Sequence, residues 1–405
     1  MRDMEKREVI VVGGGPGGAS AAYHLAKAGI DVLMLEKDQF PRDKPCGDGQ
    51  VQSIHPLFKS MGIYEEIEKH GYKCPGTLMS DADENFCVFN YKEGEFAFCT
   101  PRYIIDDIIN KAAVKAGSDY IENFEVTDLI MKRGQTKGIR GIHNGAVVEI
   151  PSDLVVIANG AHSMLSRKLG FYEENPDYVF YGMRGYFQNV RGLTDVIEFH
   201  YADEIFMPAG YIWMFPMSKT KANVGVFITE AALQRTGKTT EEILQWWREN
   251  TKLGRERLGN AELIGKLKGW RLPSGIKQNI YVDGVMGVGD AVNMIEPLFG
   301  GGFPHAMVAG ACAAKAAKEA LEANDFSKEF LKRYSDYVDA ELGSGYAIME
   351  ALRKTVFSNQ QDLKDMINFK NTYLADVKCS GGEGMALFLK EKRGFTGSLK
   401  SVYGK

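Results

Sequence analysis

The stretch "KPCGDG", residues 44–49, sets a thiol and a carboxylate two positions apart in a loop, and both residue types serve proton transfer. An ordinary thiol pKa near 8.5 keeps Cys46 protonated at neutral pH; apolar surroundings would hold it so, and positive charge from Lys44 or Arg42 would push it towards thiolate. Pro45 restricts the backbone before the cysteine and Gly47 frees it after, so the side chain can be aimed. Asp48 is expected to fix the loop by accepting hydrogen bonds from backbone N–H groups. The plainer reading of Cys46 is a packed thiol in a turn. Cys74, Cys87, Cys99, Cys312 and Cys379 show no CxxC or metal-ligand spacing and read as buried thiols, with no metal expected.

A second constellation precedes the loop: "VIVVGGGPGGASAAYHLAKAGIDVLMLEK", residues 9–37. Val9–Val12 reads as a doubly buried strand, Ala19–Ala28 as a helix and Val32–Leu35 as a second strand ending at Glu36. Gly13, Gly15 and Gly18 stand in G-x-G-x-x-G register. The first permits a tight turn, the second lets the backbone approach a pyrophosphate, and the third lets the helix sit close to the sheet. The helix N-terminus offers N–H groups and positive dipole to an anion. Glu36 is placed to face ribose hydroxyls and disfavours a 2′-phosphate by charge. Strand, helix, strand and terminal acid together predict a dinucleotide site.

Three further segments decide which dinucleotide. "CTPRYIIDDIINKAAVKAG" (99–117) reads as an amphipathic helix following Arg102. "DLVVIANGAHSMLSRKLG" (153–170) reads as a buried strand ending in a glycine turn, and "GVMGVGDAVNMIEPLFGGGFPHAMVAGACAAKAA" (284–317) as strand, Gly-Asp, loop, triple glycine and helix. Over roughly residues 8–330 this set resembles the flavoprotein superfamily that includes para-hydroxybenzoate hydroxylase, which implies FAD. The resemblance implies a cofactor shell that begins with Gly13, Gly15, Pro16, Gly17, Gly18, Glu36 and Lys37. It continues with Arg102 on the pyrophosphate side, Val126, and the Asn159-Gly160 turn. Gly289 and Asp290 would meet the ribityl chain, and Gly300, Gly301 and Gly302 the flavin edge that becomes anionic on reduction, where a helix N-terminus favours reduced flavin. The superfamily's usual Asp-Gly turn reads Asn159-Gly160 here, which keeps the turn preference and removes a charge.

"PAGYIWMFPMSKTKANVGVF", residues 208–227, alternates Tyr211, Trp213 and Phe215 on one strand face; Pro216 closes that strand and Gly225 is expected to begin the return strand. An alternating aromatic stripe is more often core than cavity lining. Beside the FAD segments, however, Y-x-W-x-F-P, a spacer and glycine resemble the geranylgeranyl reductase family, which reduces isolated double bonds of polyprenyl chains. "PCGDG" matches that family's cysteine-glycine-acid-glycine loop, and "GWRLPSG" (269–275) adds to the likeness. The resemblance implies catalytic roles in the Cys46, Gly47 and Asp48 loop, with Cys46 over the flavin, and a substrate wall of Tyr211, Trp213, Phe215 and Phe227. Phe227 replaces a family glycine and is expected to narrow the substrate tunnel.

The elements that must position these groups follow from the whole chain. With 405 residues at 44% apolar composition it can bury a large core. The expected class is α/β, or α+β overall: a Rossmann-like FAD-binding domain from 1–75, 98–170 and 270–324, interleaved with an antiparallel-sheet substrate domain from 76–97 and 171–269, and a C-terminal helical segment, 325–405. A net charge of −4 gives no attraction to nucleic acid, and no apolar run of 18 residues could span a bilayer. The N-terminus lacks a signal-peptide core, so a cytoplasmic chain is the expectation, and a monomer is expected. The basic C-terminal stretch from Phe388 could rest peripherally on anionic lipid, although a solvated tail is the plainer reading. The expected function is an FAD-dependent reductase of polyprenyl or lipid-like double bonds, fed by NAD(P)H or a ferredoxin-like protein. The alternatives are a flavin monooxygenase or halogenase on the same scaffold, and a non-catalytic flavin or prenyl carrier.

Overall fold

The structure, a computed structural model, describes residues 2–3, 5–132, 134–172, 175–275 and 279–393. The apolar run before the glycines forms the strand Arg7–Val12, buried from Val9 onward. The chain passes through the glycines into the helix Pro16–Lys27 and returns as the strand Val32–Leu35, parallel to the first. Pro16 opens the helix, where its missing N–H costs nothing. The helix therefore begins three residues before the expected Ala19. Strands Asp119–Ile121, Val32–Leu35, Arg7–Val12, the second half of Ala146–Ile157, and Val285–Gly287 lie side by side and all run parallel. An antiparallel meander, Phe124–Lys132, Gln135–His143 and the first half of Ala146–Ile157, extends the sheet.

Parallel strands end at one edge, and there they deliver the residues that the motifs singled out. Val12 leads into Gly13–Gly15, Leu35 into Glu36 and Lys37, Ile157 into Asn159 and Gly160, and Gly287 into Gly289 and Asp290. Ligands of open α/β sheets bind in the crevice at that carboxyl edge.

A second sheet has seven strands in the order Glu262–Pro273, Val179–Gln188, Ala222–Thr229, Gly210–Pro216, Ile197–His200, Gly76–Ser80 and Phe86–Asn90. Its pairings are antiparallel except that Ile197–His200 runs parallel to Gly76–Ser80. The return strand begins at Ala222 rather than at the expected Gly225, because Pro216 pairs with Ala222 and Trp213 with Gly225. That register explains the glycine. A Cβ on Gly225 would lie 2.3 Å from the Trp213 ring and 2.1 Å from the Met183 carbonyl.

The helix Gly302–Ala323 returns to the first sheet, and helices Lys328–Val338, Ser344–Lys354, Gln360–Tyr373 and Gly381–Arg393 follow. Ile348, Leu352, Phe357, Leu363 and Phe388 from this segment share one apolar core with Phe199, Tyr211 and Phe227 of the second sheet. No helix among the described residues is long and apolar enough to cross a membrane. The basic C-terminal stretch lies largely in 394–405, outside the described residues.

Candidate functional site

At the carboxyl edge lies a groove of about 380 Å³ lined by Gly13, Gly15, Pro16, Gly17, Glu36, Lys37, Arg102, Val126, Asn159, Gly160, Gly289 and Asp290. Gly13 sits at φ 106°, a conformation that a side chain would oppose. Gly18 is beneath the groove, where a Cβ would come 1.9 Å from the Gly13 carbonyl oxygen. Glu36 does more than face the groove: its carboxylate accepts from the Gly14 N–H at 2.7 Å and from the Asp38 N–H at 2.9 Å, bracing the glycine loop. Of the lining residues, Asn159 and Trp270 each bury a polar atom, Oδ1 and the indole N–H, that finds no partner among the described residues. Orphaned buried polar atoms are rare in folded chains, and a ligand carrying both donors and acceptors satisfies them. Groove shape, exposed helix terminus and orphaned atoms fit FAD.

Where the groove meets the cysteine loop, the charged residues are paired, some along one helix and some across long sequence distances. Arg102, buried, holds Asp106 through two bonds of 2.7 Å, and Arg42 reaches the same carboxylate at 2.8 Å. Lys44 lies 2.9 Å from Asp290. Arg42 and Lys44, the expected modulators of the thiol, are thus both engaged with acids. Burial works to lower the Arg102 pKa, but the Asp106 carboxylate raises it, and the nearby Cys46 sulfur adds a smaller rise. The cation beside the thiol is therefore Arg102, 56 positions away in sequence.

Cys46 is half-buried, whereas the other five cysteines are buried. It shares a cavity of about 180 Å³ with Gly47, Tyr211, Trp213, Phe215, Phe227 and Gly300–Gly302. Loop and aromatic strand are packed as one piece. A Cβ on Gly47 would stand 2.8 Å from the Phe215 ring, and one on Gly49 3.1 Å from it. Asn223 ties the piece together: its amide donates to the Cys46 carbonyl at 2.7 Å and to Asp48 Oδ2 at 2.9 Å, while its oxygen accepts from the Trp213 indole at 2.9 Å. Asp48 accepts one backbone N–H, that of Arg102 at 3.2 Å, and its other partners are side chains, Asn223 and the Tyr186 hydroxyl at 2.6 Å. Of the expected backbone N–H bonds Asp48 makes one, and two side chains of the second sheet supply the rest of its anchoring. Burial pushes the Asp48 pKa up to about 6, against the hydrogen bonds from Tyr186 and Asn223.

Phe227 lies flat between Phe180 and Tyr211, at centroid distances of 4.5 and 5.1 Å. Its ring occupies the space above Gly300, where a Cβ would come within 2.6 Å. Tyr211 donates to the Phe299 carbonyl at 2.5 Å, which fastens the aromatic strand to the triple-glycine loop. Just before that loop, Glu296 accepts from the backbone N–H groups of Leu298 and Phe299.

Residues 6–336 match the family model described as an FAD binding domain. The chain is 31% identical to digeranylgeranylglycerophospholipid reductase 2 of Methanococcoides burtonii, over 83% of this chain and 80% of that protein. It is 30% identical to the digeranylgeranylglycerophospholipid reductase of Methanosarcina acetivorans, over 94% and 91%. This chain belongs to the geranylgeranyl reductase family. The fold is also that of a geranylgeranyl bacteriochlorophyll reductase-like protein from Thermoplasma acidophilum, with TM-score 0.87, 24% identity, and 96% and 97% of the two chains covered. A flavin-dependent brominase shares it at TM-score 0.77 and 22% identity, over 92% of each chain, a likeness of fold alone.

As a geranylgeranyl reductase family member the chain is an FAD-dependent oxidoreductase, and three residues that sequence reasoning did not single out hold the loops that line its cavity. Asn223 sits within the strand pair that the aromatic motif marks, and a buried asparagine amid apolar neighbours was the available signal. Tyr186 and Glu296 gave none. Their positions depend on strand register and on a turn that closes only in three dimensions.

Proposed function

We propose that this enzyme saturates carbon–carbon double bonds of a polyprenyl, geranylgeranyl-type or other lipid-like substrate. The observation that carries the reading is the common space: the Cys46 loop, an aromatic wall and the triple-glycine loop line one largely apolar cavity beside the FAD groove. Curated relatives named digeranylgeranylglycerophospholipid reductases support it. Bound and reduced FAD supplies hydride. The protein supplies the rest. The wall of Tyr211, Trp213, Phe215 and Phe227 takes up an isoprenoid chain at about 0.8 kcal/mol per buried methylene and excludes water. Cys46 Sγ bears the proton for the second carbon. A thiol is a weak acid towards an unactivated alkene, so its aim must be tightly fixed. Asn223 and Asp48 fix it as positioning residues through the loop backbone.

The electron donor in this reading is NAD(P)H or a ferredoxin-like protein, docking transiently near the flavin. The competing monooxygenase or halogenase reading requires reduced enzyme to consume O₂ productively. The test is direct. Anaerobically reduced enzyme mixed with geranylgeraniol should reoxidise with formation of a saturated bond; oxygen-dependent hydroxylation or halogenation, with no alkene reduction, overturns the reading.

A further inference from the structure

The cavity at Cys46 does not end at the aromatic wall. Val51, Phe199, Phe299 and Pro304 line both it and a second chamber of about 310 Å³, so an apolar neck joins the two. A lipid chain threaded through the neck would occupy both. The second chamber lies between the Gly302–Ala323 helix, the second sheet and the C-terminal helices, which contribute Met349 and Met385. Its charge is one-sided. Among the described residues lining it there is no lysine or arginine, whereas Glu296 and Glu341 are both present. Burial pushes His305, the one remaining ionisable base, down to about 4, so it is neutral at pH 7. Glu296, 6% exposed, is fixed by the Leu298 and Phe299 N–H groups, and burial pushes its pKa up to about 7, so that at neutral pH it can accept or donate a hydrogen bond.

The chamber continues into a surface cleft through Gln52, Ser53, Glu341 and Ser380. The cleft, unlike the chamber, holds two lysines: Lys92 lies 3.3 Å from Glu383, and Lys315 sits 3.7 Å over the Tyr337 ring. Glu95 and Glu341 add negative charge.

We infer that the second chamber binds the oxygen-bearing end of the lipid, and that this end is uncharged, a prenyl alcohol or ether rather than a phosphate-bearing headgroup. The inference rests on the reductase reading and narrows its substrate. A phosphate against the buried Glu296 would be desolvated with no lysine or arginine among the described lining residues to meet it, which is strongly unfavourable, and the exposed Glu341 at the mouth would repel it. An uncharged hydroxyl or ether oxygen needs no cation, and Glu296, with a pKa near neutrality, can accept a hydrogen bond from it or donate one to it.

Two probes test it on the FAD-loaded protein: geranylgeraniol and geranylgeranyl monophosphate. Binding is read from tryptophan fluorescence, independently of turnover, and flavin reoxidation is followed in parallel. The alcohol is expected to bind at least tenfold more tightly than the monophosphate. Glu341→Lys, a substitution at an exposed position, should tighten the monophosphate about tenfold while moving the alcohol less than threefold. Equal or tighter binding of the monophosphate by the wild type, or no selective gain in Glu341→Lys, overturns the inference. Reoxidation by the monophosphate in preference to the alcohol overturns it while leaving the reductase reading intact. Tight alcohol binding with no reoxidation by either probe overturns the reductase reading alone, and failure of both to bind overturns both.

Discussion

Asp48 is held at φ 63° with its carboxyl group fully buried, a placement that three hydrogen bonds and the turn preference of aspartate sustain. It shares with Glu296 an acid pKa raised chiefly by burial, to about 6 and about 7. The sign follows from proton linkage: such a group binds protons more tightly when folded, so its contribution to stability is full below the unfolded pKa and is lost as pH rises through the folded one. Glu296→Gln should therefore gain on the wild type between pH 4.5 and 7.5, by roughly 2–3 kcal/mol at about 1.4 kcal/mol per pKa unit. Denaturant titrations of both proteins across that range check it, and parallel pH profiles would contradict it. Asp290 supplies a second residue-scale test. If it bonds the ribityl chain of FAD, Asp290→Ala should weaken FAD binding by about 1–3 kcal/mol, read as the Kd for FAD. An unchanged Kd would remove Asp290 from the site.

At the scale of elements, the strand pair Gly210–Pro216 and Ala222–Thr229 carries the proposed substrate wall, and Phe227 stands where the resemblance implies a glycine. Its ring fills the volume over Gly300 and stacks on Phe180 and Tyr211, so it is both packing and wall. Phe227→Gly should cost about 3–5 kcal/mol of stability, the range for deleting a buried aromatic side chain. It should also extend the accepted chain length or shift which double bond is reduced. Product masses from prenyl alcohols of graded length distinguish this from ordinary core, for which stability falls with an unaltered product profile. The strand pair also shows what was legible in the sequence. Glycine spacing, Glu36, the Gly289-Asp290 turn and the Tyr-Trp-Phe alternation act over short separations, and the sequence pattern is enough to place them. The register that sets Gly225 against Trp213 was not readable, because it depends on how tightly the turn at 217–221 closes.

At the scale of the whole molecule, function lies where pieces distant in sequence converge. Arg102 meets Cys46 across 56 positions, Asn223 meets Asp48 across 175, and Lys44 meets Asp290 across 246. Local motifs pointed to each side of these pairs except Asn223, and none could specify the pairing, which needs two sheets brought together around one cavity. The C-terminal helices complete the enclosure by burying Ile348, Leu352 and Phe357 against the second sheet. In the proposed reading, this enclosure lets Cys46 protonate an alkene reduced at the flavin. It is tested most directly by reducing wild-type and Cys46→Ala enzymes anaerobically, adding geranylgeraniol and following flavin reoxidation by stopped flow. Cys46→Ala should retain FAD and accept electrons normally, yet reoxidise about 10² to 10⁴-fold more slowly, the usual contribution of a positioned acid; reoxidation at wild-type speed would contradict the account.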